Sequence, residues 1–105
     1  MPFVQTVTSG ATVTPVATTD DELIITAQAA ALNLANPSGS ATEGQGLIVR
    51  IKDDGTARAI TYGSQYRAIG VTLPSTTVIS KTLYLGFIYN ATDTKWDCIG
   101  VSQEV

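Results

Sequence analysis

Nine carboxylates are the residues best equipped for chemistry in this 105-residue sequence: Asp20, Asp21, Glu22, Glu43, Asp53, Asp54, Asp93, Asp97 and Glu104. Glycoside hydrolysis needs only two of them facing each other, one as acid and one as base or nucleophile. Asp20-Asp21-Glu22 and Asp53-Asp54 are the clusters able to supply such a pair. A hard cation such as calcium also takes carboxylate oxygens, but neither cluster has EF-hand spacing. Turns and caps use the same residues, because a short acidic side chain bonds nearby backbone N–H groups. We expect that third role.

The sequence has no histidine. This removes the usual general base, the common zinc ligand set and any Ser-His-Asp or Cys-His arrangement. Cys98 is the one cysteine, so no intrachain disulfide forms. It lies in an apolar run, where a thiol packs as a small hydrophobe. Gly44-Gln45-Gly46 lacks the Lys-Ser/Thr of a phosphate loop. Tyr62, Tyr66, Tyr84, Tyr89 and Trp96 can form a platform for stacking sugars, or serve as core and interface anchors. We expect no catalytic residues, no metal site, no cofactor and no enzyme.

Charged residues make up 14% of the chain, against roughly 25% in an ordinary soluble domain. Thr, Ser, Ala and Gly replace them. Such short side chains lose little entropy when covered, so the surface suits flat contact within an assembly. The net charge is −3, and Arg50, Lys52, Arg58, Arg67, Lys81 and Lys95 are scattered. Nucleic-acid binding needs a basic stripe, so no nucleic-acid partner is expected. No stretch has the length of a membrane helix. Met1-Pro2-Phe3-Val4-Gln5 has no basic region leading into an apolar one. Neither a membrane partner nor a signal peptide is expected.

The elements that must position these residues read as strands. Residues 2–19 are rich in Thr, Val and Ser, and fit an extended arm or an edge strand. Residues 20–36 carry both helical and strand signals. We favour two short strands, 22–27 and 31–35, over one helix. Leu47, Val49 and Ile51 alternate with Ile48, Arg50 and Lys52. Asp53-Asp54-Gly55 then leads into residues 57–62, which predicts a β-hairpin turning at Gly55. Residues 65–71 form a further strand, and Pro74 marks a loop. Leu83, Leu85, Phe87 and Tyr89 share one face, with Tyr84, Gly86 and Ile88 on the other. After a polar turn at 90–95, Trp96, Cys98 and Gly100 alternate with Asp97, Ile99 and Val101. Both faces of this hairpin are apolar, so both should be covered, one of them by another subunit. The pattern predicts an all-β chain: an antiparallel β-sandwich or jelly-roll-like domain over 20–105, preceded by an extended N-terminal arm over 1–19.

Residues 46–60 (GLIVRIKDDGTARAI), 66–74 (YRAIGVTLP), 81–90 (KTLYLGFIYN) and 94–97 (TKWD) resemble a β-rich module of tailed-bacteriophage virions. Such modules occur as small stand-alone head proteins and at the ends of tail fibres. The resemblance implies a virion structural role and a homotrimer, and it supplies no catalytic residue. At this length, a capsid cement or decoration protein fits better than a fibre with its long shaft. The expected partners are other copies of the chain and the major capsid protein. The expected place is the capsid surface of a virion made in the bacterial cytoplasm. Many modest contacts would sum across the shell. Phe3, Val4 and Val7 are the candidates for capsid contact, and Ile88 and Val101 for the trimer. The alternative is a tail- or head-fibre terminal module that binds a host receptor or carbohydrate.

Overall fold

Short runs of Val, Ile, Leu and Thr with period-two burial form nine strands. They are β1 (Val4–Val7), β2 (Thr12–Val13), β3 (Glu22–Gln28), β4 (Leu32–Leu34), β5 (Gly46–Asp53), β6 (Ile60–Tyr62), β7 (Tyr66–Ala68), β8 (Leu83–Asn90) and β9 (Lys95–Gln103). The computed structural model describes residues 3–105, and none of these is helical. The chain is all-β, and the segment with mixed signals resolves into β3 and β4, two strands as expected.

The strands form a six-stranded sheet in the order β1-β3-β5-β8-β9-β7 and a three-stranded sheet in the order β2-β4-β6. From β1 to β6 the chain passes back and forth between the two sheets. Each return lies parallel to the strand laid down before it: β1-β3-β5 in the large sheet and β2-β4-β6 in the small one. β8 and β9 then add an antiparallel hairpin to β5, and β7 joins the far edge parallel to β9. Five of the seven pairings are parallel. This corrects the expected antiparallel arrangement. Periodicity along one strand reports which side is buried, and carries no information about which strand lies alongside.

Both sheets feed one core. Val13, Leu32, Leu34 and Ile60 come from the small sheet; Leu23, Ile25, Leu47, Val49, Ile51, Leu85, Phe87 and Trp96 are among those from the large one. Residues 3–19 belong to this framework. β1 is an edge strand of the large sheet, β2 an edge strand of the small sheet, and Val13 and Ala17 are buried in the shared core. Of the two expectations for this segment, the edge strand is the one observed.

The hairpin predicted at Gly55 does not form. Gly55 does take a positive φ of 106° and turns the chain, but β5 pairs with β3 and β8, and the strand after the turn, β6, crosses to β4. Both edges of β5 are already occupied, so the returning chain has no free ladder to join.

Candidate interaction surface

The acidic clusters act on backbone. The Asp20 carboxylate accepts the Val16 N–H at 2.7 Å, and Asp21 accepts the Phe3 N–H at 2.8 Å. Glu22 opens β3. Asp53, at the end of β5, is buried and accepts from Gly55 N at 3.0 Å, Thr77 Oγ1 at 2.7 Å and Ser80 N at 2.8 Å. Burial pushes its pKa up. The three donors, together with the Arg58 charge, outweigh burial and hold the carboxyl below the ordinary range. Asp54 pairs with Arg58 at 3.0 Å. Each cluster thus fastens a turn, and neither aligns two carboxylates on one another by these contacts.

Asp97 of β9 and Arg67 of β7 meet at 2.8 and 3.1 Å, and Arg67 also reaches Asp93 at 3.0 Å. The Arg67 hydrogen bond is the main reason the Asp97 carboxyl sits below its usual range. This pair ties the edge strand β7 to the hairpin.

Four of the five aromatics proposed as a platform turn inward. The Tyr62 hydroxyl donates to Pro74 O at 2.7 Å, and that of Tyr66 to Ala35 O at 2.8 Å. Burial pushes both phenols above their ordinary pKa. Tyr66 packs on Phe87, and Tyr89 on Trp96, with ring centres 5.0 and 5.1 Å apart. Tyr84 alone is exposed on the outer face of the large sheet. There Arg50 donates to its hydroxyl at 3.2 Å and lies 5.9 Å from the ring centre. Ile24, Thr26, Lys52 and Thr82 complete a shallow depression of about 230 Å³ beside this pair. Cys98 is wholly buried, and burial pushes its thiol pKa up.

The remaining candidate site is this outer face and its edge. Phe3 (67% exposed) and Val4 stand at the β1 edge, and Ile48, Tyr84, Ile88 and Ile99 are exposed across β5, β8 and β9. Three predicted contact residues, Phe3, Val4 and Ile88, are therefore on the surface. Val7 and Val101 are half-buried and pack against the core.

Val101 turns inward because of a bulge. Phe87 lies opposite Cys98, and Gly86 opposite Gly100, so Ile99 has no partner across the ladder. One extra residue inverts the alternation from there on. Cys98 and Val101 both face the core, while Gly100 faces out with Gly86. This corrects the uniform period two read along residues 96–101, which set Gly100 with Cys98 and Val101 with Ile99. Sequence reasoning also passed over Ile48 and Ile99 as surface residues. Ile48 lies between a loop and Arg50 on the face opposite Leu47 and Val49, and that alternation was signal enough. Ile99 carried no local signal, since only pairing creates a bulge.

Compared with protein-family models, curated proteins and solved structures, the chain matches none.

Proposed function

We propose that this protein is a structural component of a tailed-bacteriophage virion, a cement protein that self-associates as a trimer and binds the coat-protein shell. The observation that carries the reading is a cluster of exposed apolar side chains on the outer face of the large sheet. Ile48, Tyr84, Ile88 and Ile99 stand exposed together, in a chain with only 14% charged residues. Clustered exposed apolar side chains mark a contact surface. The virion assignment rests on the resemblance of residues 46–60, 66–74, 81–90 and 94–97. In this reading the two sheets are the layers of a β-sandwich. The edge strand β1, with Phe3 and Val4, is the part of the N-terminal segment that meets the coat protein.

Sedimentation of the purified protein should give a trimer, and adding it to coat-protein shells should yield bound complexes that resist heating. A monomer at every concentration, without shell binding, would sink the proposal. Copy number in purified virions separates cement from fibre: a cement protein approaches the coat protein in abundance, and a fibre module stays far below it.

The depression beside Arg50 and Tyr84 favours one second reading, a fibre-tip module for carbohydrate. It combines an aromatic ring with charged and hydroxyl donors, the groups a sugar needs. Glycan-array binding that Tyr84→Ala abolishes would support it, and an array with no signal would exclude it.

A further inference from the structure

A cavity of about 340 Å³ lies where the β8–β9 turn meets the loops that follow β4 and β6. It shares no lining residue with the depression beside Arg50 and Tyr84. Its size falls within the roughly 300–1,000 Å³ of small-molecule sites. Ser40 and Gln65 line it from the loops, Thr94 from the turn, and Tyr89 and Trp96 from the strands that the turn joins. Among the described residues, no charged side chain lines it.

Elsewhere the inward polar side chains find partners. Tyr62 and Tyr66 donate to carbonyls, Gln28 bonds Gly10 and Ala30, and Asp53 collects its donors. The cavity departs from that rule. Among the described residues, the side chains of Ser40, Gln65, Tyr89, Thr94 and Trp96 make no hydrogen bond. Gln65 is held by its backbone alone: its N–H donates to Asn36 Oδ1 at 2.8 Å, and its carbonyl accepts from Trp96 N at 2.7 Å. Trp96 is the decisive residue. It is 1% exposed, and an indole N–H can only donate. A buried donor without a partner is costly. Among the described residues, Gln5 Oε1 is the one sealed side-chain oxygen or nitrogen with no partner. The Trp96 N–H is therefore not sealed, and the cavity that the ring lines is its opening. Thr94 adds a separate observation. Its φ of 54° lies in the left-handed region, where a β-branched residue is strained and glycine is not. That strain holds a hydroxyl and a methyl group at the cavity.

We infer that this cavity binds a single neutral sugar ring. A pyranose carries hydroxyls that both donate and accept, and the lining calls for both. The Trp96 N–H needs an acceptor, while the Gln65 amide and the hydroxyls of Ser40, Tyr89 and Thr94 take either role. The half-buried Tyr89 ring and the Ala41 methyl offer apolar surface to the C–H groups of the sugar. A phosphate or carboxylate would find no opposite charge in the lining. The inference stands apart from the cement reading, since no part of it uses the outer face or a second copy.

The test titrates the full chain with the methyl glycosides of glucose, galactose, mannose and N-acetylglucosamine and follows amide and indole N–H signals by NMR. Trp96 is the single tryptophan, so its indole gives one resonance. At least one glycoside should shift it, together with the amides of Ser40, Gln65 and Thr94, with a dissociation constant on the order of 1 mM. Tyr89→Phe and Thr94→Gly each remove one hydroxyl and should weaken that binding about three- to ten-fold. Thr94→Gly also relieves the strained φ and should melt no lower than wild type, which separates lost binding from lost fold. Tyr84→Ala should leave the titration unchanged. No indole shift with any of the four glycosides would overturn the inference. So would a shift that glycerol reproduces at the same concentration, or variants at Tyr89 and Thr94 that bind like wild type. A response that Tyr84→Ala abolishes would overturn it as well, by moving the sugar to the outer face and the fibre-tip reading.

Discussion

Asp53 carries an unusual load for one side chain. Its carboxylate collects donors from the turn after β5 and from residues 77–80, a separate segment that it pins beneath the end of the large sheet. Thr77 Oγ1 donates to Asp53 and accepts the Arg58 N–H at 2.9 Å. Thr77→Val keeps the shape and removes both bonds inside a buried site. It should cost about 1–3 kcal/mol in urea unfolding; a change within error would mean that water replaces the hydroxyl. Acid should act here too. The carboxyls of Asp53 and Asp97 are held below their ordinary range in the folded chain. Their contribution is complete above the unfolded-state pKa of about 4 and fades as pH falls through the lower folded values. The urea midpoint should therefore be flat near neutrality and drop below about pH 4. Asp53→Asn should lower the neutral midpoint and flatten that acid limb. An acid limb as steep as wild type would remove Asp53 from the account. Cys98 belongs to the same scale: buried, with its thiol pKa pushed up, it should react with a thiol reagent only after unfolding. Rapid labelling of the native protein would contradict its placement.

At the scale of elements, the β8–β9 hairpin was legible and most other pairings were not. Two strongly alternating runs close in sequence, joined by a short polar turn, leave antiparallel pairing as the near-certain outcome, and Asn90 does face Lys95 across the turn. The run through β5 looked equally clear and misled. Asp53-Asp54-Gly55 makes a turn, but the ladder positions on β5 belong to β3 and β8. A turn signal fixes the bend of the backbone and leaves the destination of the next strand open. The bulge at Ile99 shows the same limit inside one strand. Hydrogen exchange should rank the elements accordingly. β5 and β8 are central, flanked on both sides, and should exchange slowest. β1 is an edge strand in which alternate backbone groups point away from β3. The Val4 and Thr6 amides should exchange faster than those of Gln5 and Val7 in the same strand, because Phe3 O accepts from Glu22 and the alternation turns Val4 and Thr6 outward. Protection of those two amides in the assembled form would place β1 within an interface.

The whole molecule is built from returns. Between Phe3 and Tyr62 the chain lays down three parallel rungs across two sheets, and each pairing joins residues well separated in sequence. Loop closure precedes any reward in such a topology, so folding should be slow for this size, in milliseconds to seconds. Stopped-flow refolding faster than about a tenth of a millisecond would be at odds with these pairings. The same architecture leaves the outer face of the large sheet uncovered within one copy. Replacing Ile48 and Ile88 by Glu should leave the fold intact, since both are surface residues, and should shift sedimentation to the monomer. Unchanged association would move the contact elsewhere.

Composition and alternation alone determined that this chain is all-β, that Leu47, Val49, Ile51, Leu83, Leu85 and Phe87 face a core, and that the acidic pairs sit in turns. These are local matters: a strand exposes or buries each residue by its own period, and a short acid bonds the backbone beside it. Tertiary structure alone decided the parallel rungs, the inward turn of Val101, and the row that sets Gly86 beside Gly100. Each of these depends on which strand lies alongside which, and that choice is made by competition among distant segments for the same ladder hydrogen bonds and the same core.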